Sequence, residues 1–118
     1  MKITAVDTTP LWCMLLNKLH RWGAAPELLK GLLPNLRAAM AWIRQALETG
    51  DGFLSYTGDL TRLSNQGWKD SGDSMVDGAG HLLEPPIAVV EAQGYAVEAF
   101  RSAARLEEAL GEPERAAP

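Results

Sequence analysis

An all-α fold interrupted by one long irregular loop is what this sequence predicts, and three observations predict it. Apolar residues recur at helical spacing, most cleanly Leu36, Met40, Ile43 and Leu47 at i, i+4, i+7 and i+11. Prolines stand where helices should open, at Pro10, Pro26, Pro34 and Pro86, and glycines where they should close, at Gly23 and Gly111. Between residues 50 and 84 the period vanishes into Gly, Asp, Ser and Asn, a length of irregular backbone that compact domains rarely carry without a use.

The first helix is expected from Pro10, whose ring fixes φ for the first turn and whose missing N–H costs nothing there, with Thr8 or Thr9 as its cap. It should run to Trp22 and stop at Gly23. Its apolar stripe reads Leu11, Leu15, Leu19 and Trp22, widened by Trp12 and Leu16, a breadth that implies burial between neighbours. Pro26 opens a short second helix carrying Leu28, Leu29, Leu32 and Leu33, and Pro34 restarts the chain into a third, the one with the clean period. Within the irregular stretch, Phe53, Leu54, Ser55 and Tyr56 read as a short strand, and Met75 and Val76 with Leu82 and Leu83 as a β-hairpin across Asp77, Gly78, Ala79 and Gly80. Pro85 and Pro86 then start a last helix running to Leu110, with Val90, Gly94, Val97, Phe100 and Ala104 toward the core and Gly94 allowing another element to approach closely. Arg105, Glu107 and Glu108 read as a solvated face with local ion pairs worth about a few tenths of a kcal/mol each. Residues 112–118 read as a loose tail.

The 118 residues form one segment without repeats, low-complexity tracts or an internal boundary. Apolar residues make up 47% of the chain, enough to build a core. A net charge of −4 supplies no basic field, which argues against nucleic acid and anionic membranes as partners and is compatible with neutral sugars. The one cysteine, Cys13, has no partner for an internal disulfide and lies in an apolar run, where a buried structural thiol in a reducing compartment is expected. The amino terminus lacks the apolar stretch of a signal peptide and no run approaches the length of a membrane span, so cytoplasm is the expected location.

Chemistry concentrates in residues 65–74, where Trp68, Asp70, Asp73 and two glycines share one non-helical run. A glycoside-cleaving centre needs a carboxylic acid held protonated until it donates to the leaving oxygen, and a ring beside that acid raises its pKa by excluding water. Asp70 with Trp68 can supply both, although the same residue types also build ordinary surface turns. No metal is expected: His20 and His81 lack neighbours at ligand spacing, and Asp70, Asp73 and Asp77 miss the positions of a calcium loop.

Gln66-Gly67-Trp68-Lys69-Asp70-Ser71, followed by Asp73, resembles the signature of glycoside hydrolases of the glycogen-debranching, amylo-alpha-1,6-glucosidase type. Upstream, Val6-Asp7-Thr8-Thr9-Pro10-Leu11 resembles the segment that opens a substrate-facing loop in that family, and Asp51-Gly52-Phe53-Leu54-Ser55-Tyr56 its Asp-Gly-Phe hairpin. Downstream, Pro86-Ile87-Ala88 with Glu91-Ala92-Gln93-Gly94-Tyr95 resembles the helix that follows the acid loop. The resemblance implies an (α/α)6 toroid, a ring of paired helices whose loops at one end bind glucose units, of which this chain would form a part of about a third. It implies Asp70 as general acid. It also implies substrate contact by Asp7, Trp68, Lys69, Asp73, Glu91 and Gln93, with an α-glucan or small α-glucoside as ligand and no cofactor.

For several of these residues local chemistry offers a second role. Asp7 suits a helix cap, Asp73 suits a group that orients the loop, Trp68 suits a core, and Glu91 suits the positive end of a helix dipole. Glu91 and Tyr95 sit one turn apart and share a face. Inverting hydrolysis also needs a second carboxylate about 6.5–9.5 Å from the acid. The resembled enzymes take that base from later in the ring, and no segment after Leu110 offers one, so the chain is expected to carry the acid half alone and to be inactive by itself. The run before Asp51 is also shorter in Asp than the family's pattern. The rival reading is a non-catalytic helical module for sugar binding or oligomerisation.

Overall fold

The computed structural model describes residues 6–55, 76–82 and 86–116, and among them the chain is all-α. Four helices follow one another: α1 (Thr8–Arg21), α2 (Pro26–Gly31), α3 (Leu33–Thr49) and α4 (Val90–Leu110), with a 3₁₀ turn at Pro113–Ala116. None of them is long and apolar enough to cross a membrane.

Helix α1 starts at Thr8, ahead of the predicted Pro10. Proline is tolerated there because every N–H of the first turn lacks an intrahelical acceptor in any case. Neither threonine nor Asp7, the N-cap residue, makes a capping side-chain bond. The other end is tightly specified: Gly23 takes φ 89°, its N–H reaches His20 O at 3.1 Å, and Ala24 N–H reaches Leu19 O at 3.0 Å. Those two bonds use up carbonyls that the helix itself leaves unpaired, and the backbone turn they need suits glycine. Lys18, His20 and Arg21 in the last turn complement the negative end of the helix dipole.

Burial overturns part of two predicted faces, although Leu16 is buried and Trp12 and Phe100 pack against the core as expected. Leu11, Leu15, Leu19 and Trp22, read as the buried stripe of α1, are exposed, Trp22 at 90%; the residues turned inward are Thr9, Pro10, Cys13, Leu16 and Asn17. On α4 the predicted core residues Val90 and Val97 are 77% and 51% exposed, and the inner face is instead Ala92, Ala96, Ala99, Ala103 and Leu106. Close approach explains both corrections. Helix α4 packs more extensively on α1 than α3 does, and a row of alanines lets two backbones come together where valine and phenylalanine would hold them apart. In α3 the predicted period is realised, with Leu36, Met40 and Ile43 buried and Leu47 half-buried.

Helix α4 begins at Val90 and not at Pro86. Residues 87–89 keep an extended alternation, Ile87 and Val89 buried and Ala88 exposed, and Val89 holds φ −73° and ψ 138°. Two burial sites on a period of two outweigh the proline signal for helix. Helices α3 and α4 run antiparallel, since Arg37 near the start of α3 pairs with Glu107 near the end of α4, and Leu54 beyond α3 bonds Gln93 in the first turns of α4.

No strand is present among the described residues. Phe53, Leu54 and Ser55, predicted as part of one, are not assigned to any, because the N–H and C=O of Leu54 are taken by the side chain of Gln93. Val76 and Leu82 form a single antiparallel bridge around the turn at Asp77; Tyr56, Met75, Leu83 and Pro85 lie outside the described residues. The tail is not loose throughout, since residues 113–116 form the 3₁₀ turn.

Candidate functional site

Three of the residues assigned to the sugar site lie within the described structure, all at or near the beginning of a helix. Asp7 occupies the N-cap position of α1 in a helical conformation, half-buried, and its carboxylate makes no capping bond. The capping role that local chemistry suggests is therefore not taken up. Glu91 lies in the first turn of α4, half-buried, with Tyr95 half-buried one turn on. A carboxylate there is favoured by the positive end of the helix dipole. Trp68, Lys69, Asp70 and Asp73 lie outside the described residues.

Gln93 has a structural task that its sequence position does not advertise. Its Oε1 accepts the N–H of Leu54 at 2.8 Å, while Nε2 donates to Leu54 O at 2.7 Å and to Val89 O at 2.8 Å. The carboxamide thus pairs with a buried residue as a neighbouring strand would, and both of its amide hydrogens are spent. One lone pair on Oε1 is what remains for any ligand. Leu54 follows the Asp51-Gly52-Phe53 turn, which closes α3: Asp51 takes φ 54°, and Gly52 N–H reaches Leu47 O at 2.8 Å. The clip therefore joins two of the motifs.

The turn at Asp77 is built by its own carboxylate. Oδ1 accepts the N–H groups of Ala79 at 2.8 Å and His81 at 2.9 Å, and Oδ2 lies 3.3 Å from His81 Nδ1. These bonds, the backbone one from His81 foremost, hold Asp77 below the usual carboxylate range. Such a carboxylate is committed to its turn. Among the described residues no three His, Cys, Asp or Glu side chains gather as metal ligands.

Glu107, predicted on a solvated face, is instead buried. Glu107 is 4% exposed and bonds Arg37 through both oxygens, at 2.9 and 3.1 Å, while Oε2 also accepts Glu112 N–H at 2.9 Å. The Arg37 guanidinium, above all, holds its carboxyl below the usual range. Gly111 makes room for this: a Cβ there would lie 2.1 Å from Glu107 Oε2. A glutamate four residues before a helix-ending glycine was the available signal, but its partner is 70 residues away. Arg105 and Glu108 are exposed as expected, with Arg105 paired to Glu98.

Cys13 is fully buried, its thiol 3.9 Å from Met40 Sδ, and burial pushes its pKa up to about 11. A thiol so placed fills the α1–α3 contact and is not a nucleophile.

No protein-family model matches the chain, and no curated protein sequence matches it.

Proposed function

We infer that this chain is part of an inverting glycoside hydrolase of the debranching, amylo-alpha-1,6-glucosidase type, forming a portion of an (α/α)6 toroid and carrying the general-acid half of the site. Asp70 donates the proton, and Asp7, Trp68, Lys69, Asp73 and Glu91 contact the α-glucan. Gln93 acts chiefly by holding the walls together. The observation that carries the reading is the Gln93 clip. It ties the Asp-Gly-Phe turn to the start of α4, so two motifs remote in sequence meet in space. The Asp7 carboxylate, which makes no capping bond to α1, supports the same reading, because a helix-start aspartate that does not cap can meet sugar hydroxyls. A cytoplasmic setting accords with a single buried thiol.

The test is calorimetric titration with maltotetraose alongside a hydrolysis assay. Binding should weaken in Asp7→Ala and Asp70→Asn, and the chain by itself should show no turnover, since one assigned carboxylate cannot both donate the proton and activate water. Turnover abolished by Asp70→Asn would show that both halves of the site are present. Glucan binding indifferent to both substitutions would remove the sugar site.

A second reading, a helical module that works by association, is favoured by one observation: the outward face of α1 presents Leu11, Leu15 and Leu19 to solvent.

A further inference from the structure

A cleft of about 270 Å³ lies between α3 and α4, with Arg115 and Ala116 of the 3₁₀ turn on its wall. Its floor is apolar: Leu36, Met40 and Ala103 are buried there, and the half-buried ring of Phe100 joins them. Among the described residues that line it, three arginines, Arg37, Arg44 and Arg115, face a single carboxylate, that of Glu107. Glu107 is spent. Both of its oxygens hold Arg37, at 2.9 and 3.1 Å, so this pair brings no net charge to the cleft. Arg115 bonds Glu112 through Nε, which leaves the terminal N–H groups of its fork outside that bond. Arg44 differs from both: among the described residues it pairs with no carboxylate, and its guanidinium carbon sits 5.6 Å from the centre of the Phe100 ring. Stacking on that ring steadies the head before any ligand arrives, while the N–H groups around its edge keep their capacity to donate.

Charge and floor together define the occupant. With Arg37 matched by Glu107 and Arg115 by Glu112, Arg44 is the cation left to answer, so a monoanion balances the cleft better than a phosphate dianion. Arg44 and Arg115 are exposed while Leu36, Met40 and Ala103 are buried, which puts the cationic side outward and the apolar side inward. A small inorganic ion would leave that floor uncovered, whereas an amphipathic acid covers it. A carboxylate also matches the planar edge of a guanidinium through two parallel N–H···O bonds. The volume lies just below the roughly 300–1,000 Å³ usual for ligand pockets, so the apolar body is a single ring or a short chain. We propose that the α3–α4 cleft binds a small monocarboxylate, its apolar body on Met40, Phe100 and Ala103 and its carboxylate on the Arg44 fork with Arg115 alongside. None of the residues assigned to the glucan is among those that line this cleft, and the proposal is independent of that assignment.

Calorimetric titration of the full chain with phenylacetate, hexanoate, their uncharged amides and inorganic phosphate tests it. At least one of the two carboxylates should bind saturably at millimolar concentration, as suits a ligand of about ten non-hydrogen atoms. Its amide, of the same shape without the charge, should bind about tenfold more weakly. Arg44→Gln should weaken the carboxylate by a similar factor, whereas Arg101→Gln, at an exposed arginine of α4 that does not line the cleft, should leave it unchanged. Ala104→Phe adds a ring at the cleft wall and should block binding. Circular dichroism checks that the variants keep their helices; Arg44→Gln, at an exposed position, serves as the test even where Ala104→Phe does not fold. No saturable binding of either carboxylate would overturn the proposal, as would amides that bind equally well. Phosphate bound as tightly as the carboxylates would overturn it too, since charge alone would then suffice. So would carboxylate binding that Arg44→Gln leaves intact.

Discussion

Glu107 and Cys13 show how far single side chains set the pH range of this protein, each in the opposite direction. Glu107 has its carboxyl held below the ordinary value of 4.5 by the Arg37 guanidinium, so its contribution is fully present above that pH and is lost as acid titrates it through the lower folded value. Glu107→Gln removes a charge-assisted bidentate pair, which should lower stability near neutrality by roughly 1–3 kcal/mol and flatten the acid side of a urea-denaturation profile. The figure is less than for a fully buried pair, because the Arg37 head keeps access to water. Equal stability of the two proteins at pH 7 would mean that the Glu107–Arg37 pair does not stabilise the fold. Cys13 works at the alkaline end. Its pKa rises from 9.0 to about 11 on folding, so between those pH values the unfolded chain gains a thiolate that the folded chain does not. Stability should fall by about 2–3 kcal/mol across that window, and Cys13→Ala should abolish the fall. A wild-type profile flat from pH 9 to 11 would mean that the thiol reaches solvent.

The α1–α4 contact depends on a face made of alanines, and this makes it intolerant of added bulk. Ala99 is fully buried, so Ala99→Leu should destabilise the fold by about 1–3 kcal/mol through overpacking, whereas Val97→Leu, on the exposed side of the same helix, should be nearly silent. Thermal melts of the two variants decide it; comparable losses would mean that α4 is turned the other way. The same contact explains what was legible in the sequence. Proline and glycine marked the helix ends to within a few residues, and the Leu36, Met40 and Ile43 period was read correctly, because these signals are local. The inward faces of α1 and α4 match the expected ones only in part, at Leu16, Trp12 and Phe100, because the partner's need for small residues is not visible from either helix alone. The site divides in the same way. Asp7 and Glu91 are proposed as sugar contacts from motif order alone, whereas the Gln93–Leu54 and Glu107–Arg37 bonds join residues 39 and 70 positions apart and have no local signature.

At the scale of the whole molecule, α1 is apolar on two sides and only one of them is satisfied. Cys13 and Leu16 are buried, while Leu11, Leu15 and Leu19 repeat at the same helical spacing on the solvent side and Trp22 stands at its end. Isolated exposed leucines are ordinary, but a continuous row on one helix face is the kind of patch through which proteins associate. Association should follow, either with a second copy or with further helices of a ring. Sedimentation velocity on the chain by itself should show the weight-average coefficient rising with concentration. Leu15→Glu should return it to the monomer value without loss of helicity, since Leu15 is 54% exposed and a charge there disturbs no core contact. A wild-type chain that stays monomeric at high concentration and binds no hydrophobic dye would mean that the row is too dispersed to act as a surface, and the burial of α1 against α4 would then suffice for a self-contained domain.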